Sequence, residues 1–293
     1  MSSKEVRLSD LSEPEQSTVG GIAAFVEGVV LQPTIYFKNA HQQGLPLTLD
    51  PRVLYRGIGA ALCNEMGQLG LQFGVTGALT KFFVGDDPGA ASAAAELGAA
   101  AGAGALVAFL ASPLELVMIQ QQRFGGSMAA TCANIVKGHG TFGSGLYRGL
   151  GLAIMRDSIY VGGMLGATPL VHRQLMEWRG LREPTTLDAA AASSLGSAAD
   201  VALTSLAASM LGGVIGALLS HPLDVAKTCM QGDLHRATYG SMLESLQTLL
   251  RTGGVERLYH GATWRTINIT ATVWIANECS LRLPKYFRTA RAE

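Results

Sequence analysis

Hydrophobic positions in this chain run in long unbroken blocks rather than in the alternation of a half-buried strand or the single stripe of a surface helix. "LGAAAGAGALVAFLASPLELVMI" (Leu97 to Ile119) and "LTSLAASMLGGVIGALLSHPLDVA" (Leu203 to Ala226) are each long enough to span a bilayer. Both are rich in the small residues that let membrane helices approach closely. Each block ends in a proline followed by polar residues, and that ending occurs three times. "QPTIYFKNAHQ", "SPLELVMIQQQ" and "HPLDVAKTCMQ" align on Pro33, Pro113 and Pro222, and a glutamine (Gln42, Gln122, Gln231) sits nine residues after each proline.

A second shared element follows each time: "LYRGIG" from Leu54, "LYRGLG" from Leu146 and "LYHGAT" from Leu258, each leading into another apolar stretch. The pattern predicts an all-α membrane protein with six helices, at about 18–42, 54–83, 93–122, 146–175, 202–231 and 258–287. They group into three tandem helix–loop–helix repeats, 18–92, 93–190 and 191–293, behind a polar tail of residues 1–17. Between the helices of a repeat lies a polar amphipathic stretch, clearest at Gly240 to Gly261, where Met242, Leu243, Leu246, Leu249 and Leu250 keep helical spacing. In the first repeat the corresponding "GLPLTLDPRV" is too short for a comparable helix.

Composition fits this reading and excludes others. Of 293 residues 48% are hydrophobic and only 15% charged, less charge than a soluble domain of this size carries. The net charge is zero, so there is no basic footprint for nucleic acid. The opening "MSSKEVRLSDLSEPEQSTVG" has no apolar core behind basic residues, and its acids argue against a transit peptide. The cysteines, Cys63, Cys132, Cys229 and Cys279, have neither disulfide nor zinc spacing. The histidines show no metal spacing, and no phosphate-binding Gly-x-x-x-x-Gly-Lys-Ser/Thr loop, Gly-x-Ser-x-Gly or His-Glu-x-x-His occurs. Neither an enzyme nor a bound cofactor or metal is expected.

Positions two, five and nine after a helical proline lie on one face, since steps of three and four residues return to the same side. In the third repeat these are Asp224, Lys227 and Gln231. This arrangement resembles the mitochondrial carrier family, whose signature is Pro-x-Asp/Glu-x-x-Lys/Arg on odd-numbered helices. The similarity covers nearly the whole chain, from about Thr18 to Tyr286, and the third repeat matches best. The first repeat has Ile35 in place of the acid, with Lys38 as base; the second has Glu115 as acid but Met118 in place of the base.

What the resemblance implies is a pseudo-threefold bundle around a central pathway in the mitochondrial inner membrane, working as a monomer in contact with lipid such as cardiolipin. There the acid of each odd helix pairs with the base of the next and closes the matrix side, with the glutamines bracing the pairs. Glu115 would pair with Lys227 and Asp224 with Lys38. The third pair would be Ile35 with Met118, both halves of one bridge having become apolar together, which leaves no orphaned charge.

Ionisable groups deep in membrane helices are functional candidates. Eight residues beyond Arg56, Arg148 and His260 stand Asn64, Arg156 and Asn268, followed by Glu65, Asp157 and Ile269. These depths look like the family's substrate contact points, and an arginine followed by an acid resembles its amino-acid carriers. A guanidinium takes a carboxylate in a two-pronged hydrogen bond, and an acid takes an ammonium. The rival reading is that Arg156 and Asp157 hold each other or neighbouring helices. Glu27, eleven residues before Lys38 and on its face, and Arg265 on the sixth helix are further polar candidates; Glu27 is equally readable as a helix-packing acid. The family's outer charged gate is unrecognisable: Thr76-Gly77 and Thr168-Pro169 replace it on two helices, and Glu278 and Arg282 on the sixth read as a local pair. The expectation is alternating-access transport of an amino acid or related small carboxylate; the alternative is a carrier-like scaffold or adaptor that does not transport.

Overall fold

The computed structural model describes residues 11–68, 93–143, 145–181 and 195–292. Over these residues it is helical, without strands. The expected second helix lies partly outside them: it is helical over 58–68, and 69–83 falls beyond, with Thr76 and Gly77. The elements in chain order are α1 (Glu13–Gln43), α2 (Pro51–Leu54), α3 (58–68), α4 (Ala93–Phe124), α5 (Met128–His139), α6 (Leu150–Trp178), α7 (Leu195–Gly232), α8 (Met242–Arg257) and α9 (Ala262–Ala292). The odd membrane helices are thus α1, α4 and α7, and among the described residues these three are long and apolar enough to cross a membrane. Their outward faces carry exposed Phe25, Val30, Leu106, Leu110, Leu211 and Leu219, as a surface against lipid does.

Neighbouring helices pack in a ring: α1 against α9, α9 against α7, α7 against α6 and α6 against α4. Among the described residues α6 and α7 share the most extensive contact. A Cβ on Gly216 would stand 2.7 Å from the Tyr160 carbonyl oxygen, and one on Gly212 would stand 2.9 Å from Thr168 Cα. Gly212 and Gly216 are four apart on one face of α7, so removing both side chains lets the two backbones meet.

All three odd helices continue through their prolines. The residue before the proline then ties the odd helix to the loop that starts its even partner. Gln32 Nε2 donates to the Arg56 carbonyl at 3.1 Å, and the His221 ring nitrogen Nε2 sits 3.0 Å from the His260 carbonyl. Ser112, the equivalent in the second repeat, is too short to do the same, and its buried hydroxyl has no partner.

The Leu-Tyr-Arg/His-Gly element is a turn, so the even helices begin several residues later than periodicity suggests. Its glycines share one conformation, with φ of 79° at Gly57, 82° at Gly149 and 81° at Gly261, a region that side chains with a Cβ disfavour. Each glycine also abuts the next odd helix at its base position. A Cβ there would stand 3.0 Å from the Met118 carbonyl for Gly57, 3.4 Å from Lys227 Cγ for Gly149 and 3.0 Å from the Lys38 carbonyl for Gly261.

The expected interfacial helix of the third repeat is α8, begun by a capping box between Ser241 and Glu244 and broken at Gly253-Gly254. Its apolar stripe divides. Leu249 is fully buried and Met242 and Leu246 pack with it on Val225, Ala226 and Met230 of α7, whereas Leu243 and Leu250 are exposed. The second repeat has a counterpart in α5, and the first has only the four residues of α2. The loop before α8 is shaped by Asp233, whose carboxylate accepts the backbone N–H groups of Ala237, Thr238 and Tyr239 at 3.1, 2.7 and 2.9 Å. Partial burial pushes the Asp233 carboxyl up, but these donors and the Arg148 charge outweigh it and hold it below the usual aspartate range.

Two outcomes follow. Gly216→Val forces a methyl-bearing carbon into the α6 backbone and should cost about 2–3 kcal/mol, seen as a lower unfolding temperature in detergent, whereas Gly59→Ala, with open space around it, should not. The depressed Asp233 carboxyl contributes stability that is complete above the ordinary aspartate value of about 3.9 and is lost as pH falls below it. Asp233→Asn should therefore melt lower than the parent at pH 7, and the gap should narrow as pH falls below the ordinary aspartate value of about 3.9; a gap that stays constant as pH falls would refute the assignment.

Candidate functional site

The polar ends of α1, α4 and α7 converge on the bundle axis, because each proline is followed by a polar stripe on the face that the ring turns inward. Lys38 Nζ lies 3.2 Å from Asp224 Oδ2, joining α1 to α7, and Lys227 Nζ lies 2.6 Å from Glu115 Oε2, joining α7 to α4. The two neighbouring charges of α7 thus face different partners on different helices. At the third position Ile35 packs against the apolar cluster that holds Leu116, Met118 and Ile119, so α1 and α4 meet there without charge.

The glutamines do not act alike. Gln42 Nε2 donates to Asp224 Oδ2 at 2.8 Å and so braces a bridge. Gln122 does not reach a charged pair: its Oε1 accepts from Asn39 Nδ2 at 2.8 Å, which joins α4 to α1 below the apolar position. Gln231 is fully buried with neither side-chain polar atom hydrogen-bonded; the α4–α7 link at this level is made by Gln120 Nε2 to the Gln231 carbonyl at 2.6 Å. Gln42 thus makes a bracing contact, while the one expected of Gln122 and Gln231 is not formed: neither side chain hydrogen-bonds to the Glu115–Lys227 pair.

Arg156 departs furthest from a free carboxylate receptor. Its Nε and Nη2 clamp Asp157 at 2.7 and 2.9 Å, Nη1 and Nη2 each lie 3.2 Å from Glu115 Oε1, and Nη1 lies 3.2 Å from Asp224 Oδ1. Arg156 and Asp157 do hold each other, and the guanidinium also engages the acids of both α4 and α7. The side chain of Arg265 is 11% exposed. Its Nη2 donates to Ser220 Oγ at 2.8 Å, and its guanidinium lies over the Tyr160 ring at 5.9 Å. Its buried Nη1 makes no hydrogen bond, with Asp224 Oδ2 at 3.7 Å.

The remaining candidates sit around these charges. Asn268 Nδ2 donates to Thr34 Oγ1 at 3.0 Å, and Glu27 Oε1 accepts from Thr272 Oγ1 at 2.6 Å, so both serve the α1–α9 contact. Asn64 is buried with its Oδ1 unpaired. Glu65 is half-buried and makes no hydrogen bond or salt bridge among the described residues. Arg148, aligned with Arg56 and His260, is wholly structural: it is buried and donates from Nε to the Met230 carbonyl at 2.6 Å and from Nη2 to the Tyr239 carbonyl. Glu278 and Arg282 form a local pair at 2.6 Å, four residues apart on α9. Asn39, Gln120 and Ser220 belong to the network although periodicity alone does not single them out; Asn39, three residues before Gln42, does lie on that glutamine's face, whereas Gln120 points to α7 and Gln122 to α1.

Comparison with known proteins agrees with this geometry. The family model described as "Mitochondrial carrier protein" matches residues 89–177 and 199–277, more than half of the chain. The chain belongs to the mitochondrial carrier family. Proteins of this family are transporters, and the matched segments are the second and third repeats. A probable mitochondrial 2-oxodicarboxylate carrier of Dictyostelium discoideum is 27% identical over 83% of this chain and 80% of its own length. Mitochondrial 2-oxodicarboxylate carrier 1 of Saccharomyces cerevisiae is 27% identical over 71% of this chain and 63% of its own length. Kidney mitochondrial carrier protein 1 of Xenopus laevis is 25% identical over 72% of this chain and 68% of its own length.

As a member of this carrier family the chain differs from a simple ring of three bridges, because Asp224 is a hub. It meets Lys38, Arg156 and Gln42 directly and has Arg265 close by. Asp224→Asn leaves these cations underneutralised and should cost about 3–5 kcal/mol, whereas Lys38→Met leaves Asp224 its other partners and should cost less; thermal unfolding in detergent compares them, and equal losses would sink the hub. Exchanging Lys38 and Asp224 should not restore stability, since a lysine at 224 would face Arg156 and Arg265.

Proposed function

We propose that this carrier moves an amino acid or a related small carboxylate across the mitochondrial inner membrane, in a multi-pass bundle of three repeats with bounds near 18–92, 93–190 and 191–293. The reading is supported above all by two incompletely matched charges. The buried guanidinium of Arg265 keeps one N–H without a hydrogen bond and only a long ion pair with Asp224, at 3.7 Å, and the Glu65 carboxylate makes no ion pair among the described residues. One offers an anion site and the other a cation site, the two ends of a zwitterion. Glu27, Asn64 and Asn268 are the further contacts of this reading. The similarity to two 2-oxodicarboxylate carriers favours the carboxylate half of this assignment, since a 2-oxodicarboxylate carries no ammonium.

Transport proceeds by alternating access. With Lys38–Asp224 and Lys227–Glu115 formed, the matrix side is closed; their separation opens it and lets the opposite ends of the helices draw together. The ionic pairs suit that task because, once wetted, both halves are solvated and the penalty of parting them falls. The carrier works as a monomer within lipid, cardiolipin included, and needs no cofactor. The second reading, a scaffold that retains the fold without transport, is favoured by a single observation: Arg156, at a contact-point depth, is already saturated by three carboxylates.

Reconstitution into liposomes with labelled amino acids, 2-oxo dicarboxylates, other dicarboxylates and nucleotides decides between them. Uptake of amino acids or small carboxylates is expected and should be lost in Arg265→Ala. Glu65→Gln should raise the KM for amino acids on the order of tenfold, the worth of one charged hydrogen bond, and leave 2-oxo acids unaffected. A folded protein that takes up none of the panel would favour the scaffold.

A further inference from the structure

Two bridges alone do not tie the three odd helices into a closed gate, because the α1–α4 side of the ring is apolar at Ile35 and Met118. Lys227–Glu115 joins α7 to α4, and Lys38–Asp224 joins α7 to α1. Arg156 stands between them and touches the acid of each, Glu115 Oε1 and Asp224 Oδ1, both at 3.2 Å. A continuous path of charge therefore runs from α4 through Glu115, Arg156 and Asp224 to Lys38 on α1. It connects the two helices whose own bridge is missing, and it does so through an even-numbered helix.

We propose that Arg156 is a gate residue of this carrier: it fuses the two surviving bridges into one network and supplies, beside the neutral Asn39–Gln122 hydrogen bond, the charged link between α1 and α4 that Ile35 and Met118 cannot make. Its partner Asp157 is the positioning residue, gripping the outer edge of the guanidinium at 2.7 and 2.9 Å so that Nη1 is aimed at the gap between Glu115 and Asp224. A planar five-donor fork is suited to this, since a lysine ammonium cannot span three carboxylates in one plane. The inference rests on the carrier reading for the word gate, but its geometry does not depend on any solute. It also moves the arginine away from simple solute binding. A solute carboxylate that takes hold of Arg156 withdraws it from Glu115 and Asp224, so occupancy and unlatching become one event.

Cys229 provides a built-in reporter. It lies on α7 two residues past Lys227, is 2% exposed, and its Sγ meets the Gln42 carbonyl of α1 at 3.1 Å. Parting of the matrix ends of α1 and α7 removes its Gln42 cover and makes it available to a thiol reagent. Labelling of Cys229 in the purified full-length protein, normalised to exposed Cys63 and read by peptide mass spectrometry without solute, measures that parting. Arg156→Ala should speed it on the order of tenfold, the effect of losing one charged hydrogen bond. Arg156→Lys should give a smaller rise and serves where the alanine variant does not fold. The deciding arm installs the missing bridge, Ile35→Glu with Met118→Lys: in that background Arg156→Ala should speed labelling far less. An unchanged labelling rate in Arg156→Ala, or the same rise in both backgrounds, would overturn the proposal. Failure of the carrier reading would show instead as absent uptake with the labelling pattern intact.

Discussion

A carboxylate whose side chain is only 2% exposed inside a membrane bundle must be matched by charge and by donors, and Asp224 imposes that condition on everything around it. It draws Lys38 and Gln42 from α1, Arg156 from α6 and, at a longer distance, Arg265 from α9. Three helices are therefore positioned by one oxygen pair on a fourth. Glu115 repeats the condition on a smaller scale with Lys227 and Arg156. Where no acid remains, at Ile35, the packing reverts to ordinary apolar contact.

The threefold repeat makes most of the architecture legible from residues alone. Prolines at one register, an acid and a base at fixed offsets and a shared turn element are enough to predict which helices exist and that Asp224 and Lys227 face different neighbours. The loss of one bridge as a pair, to Ile35 and Met118, is readable for the same reason, since an orphaned charge would be costly. Helix starts are read less well because the Leu-Tyr-Arg/His-Gly element looks apolar and helical by composition. Its glycine holds a left-handed turn that only the backbone reveals.

The site was less legible than the frame. Spacing assigns each glutamine the same duty, yet they end in three different environments: Gln42 on a carboxylate, Gln122 on Asn39 where the charges are gone, and Gln231 without a hydrogen bond although the Glu115–Lys227 bridge survives. Depth along a helix places Arg156 at a solute level, but an arginine side chain reaches more than one turn. Its head group settles where the acids are rather than where its Cα is. Glu27 and Asn268 show the opposite case: their depth is as expected, and short side chains keep them there, serving the α1–α9 contact.

The motif glycines have one more implication. Gly57 sits against α4, Gly149 against α7 and Gly261 against α1, so the elbow of every repeat is keyed into the helix that opens the next. In a solenoid the last unit has nothing ahead of it and the array can be lengthened or trimmed. Here the last elbow finds the first helix of the chain, and the succession closes on itself. The number of repeats is thus a property of the ring's closure rather than of any single repeat, which leaves no free end at which a further copy could be joined.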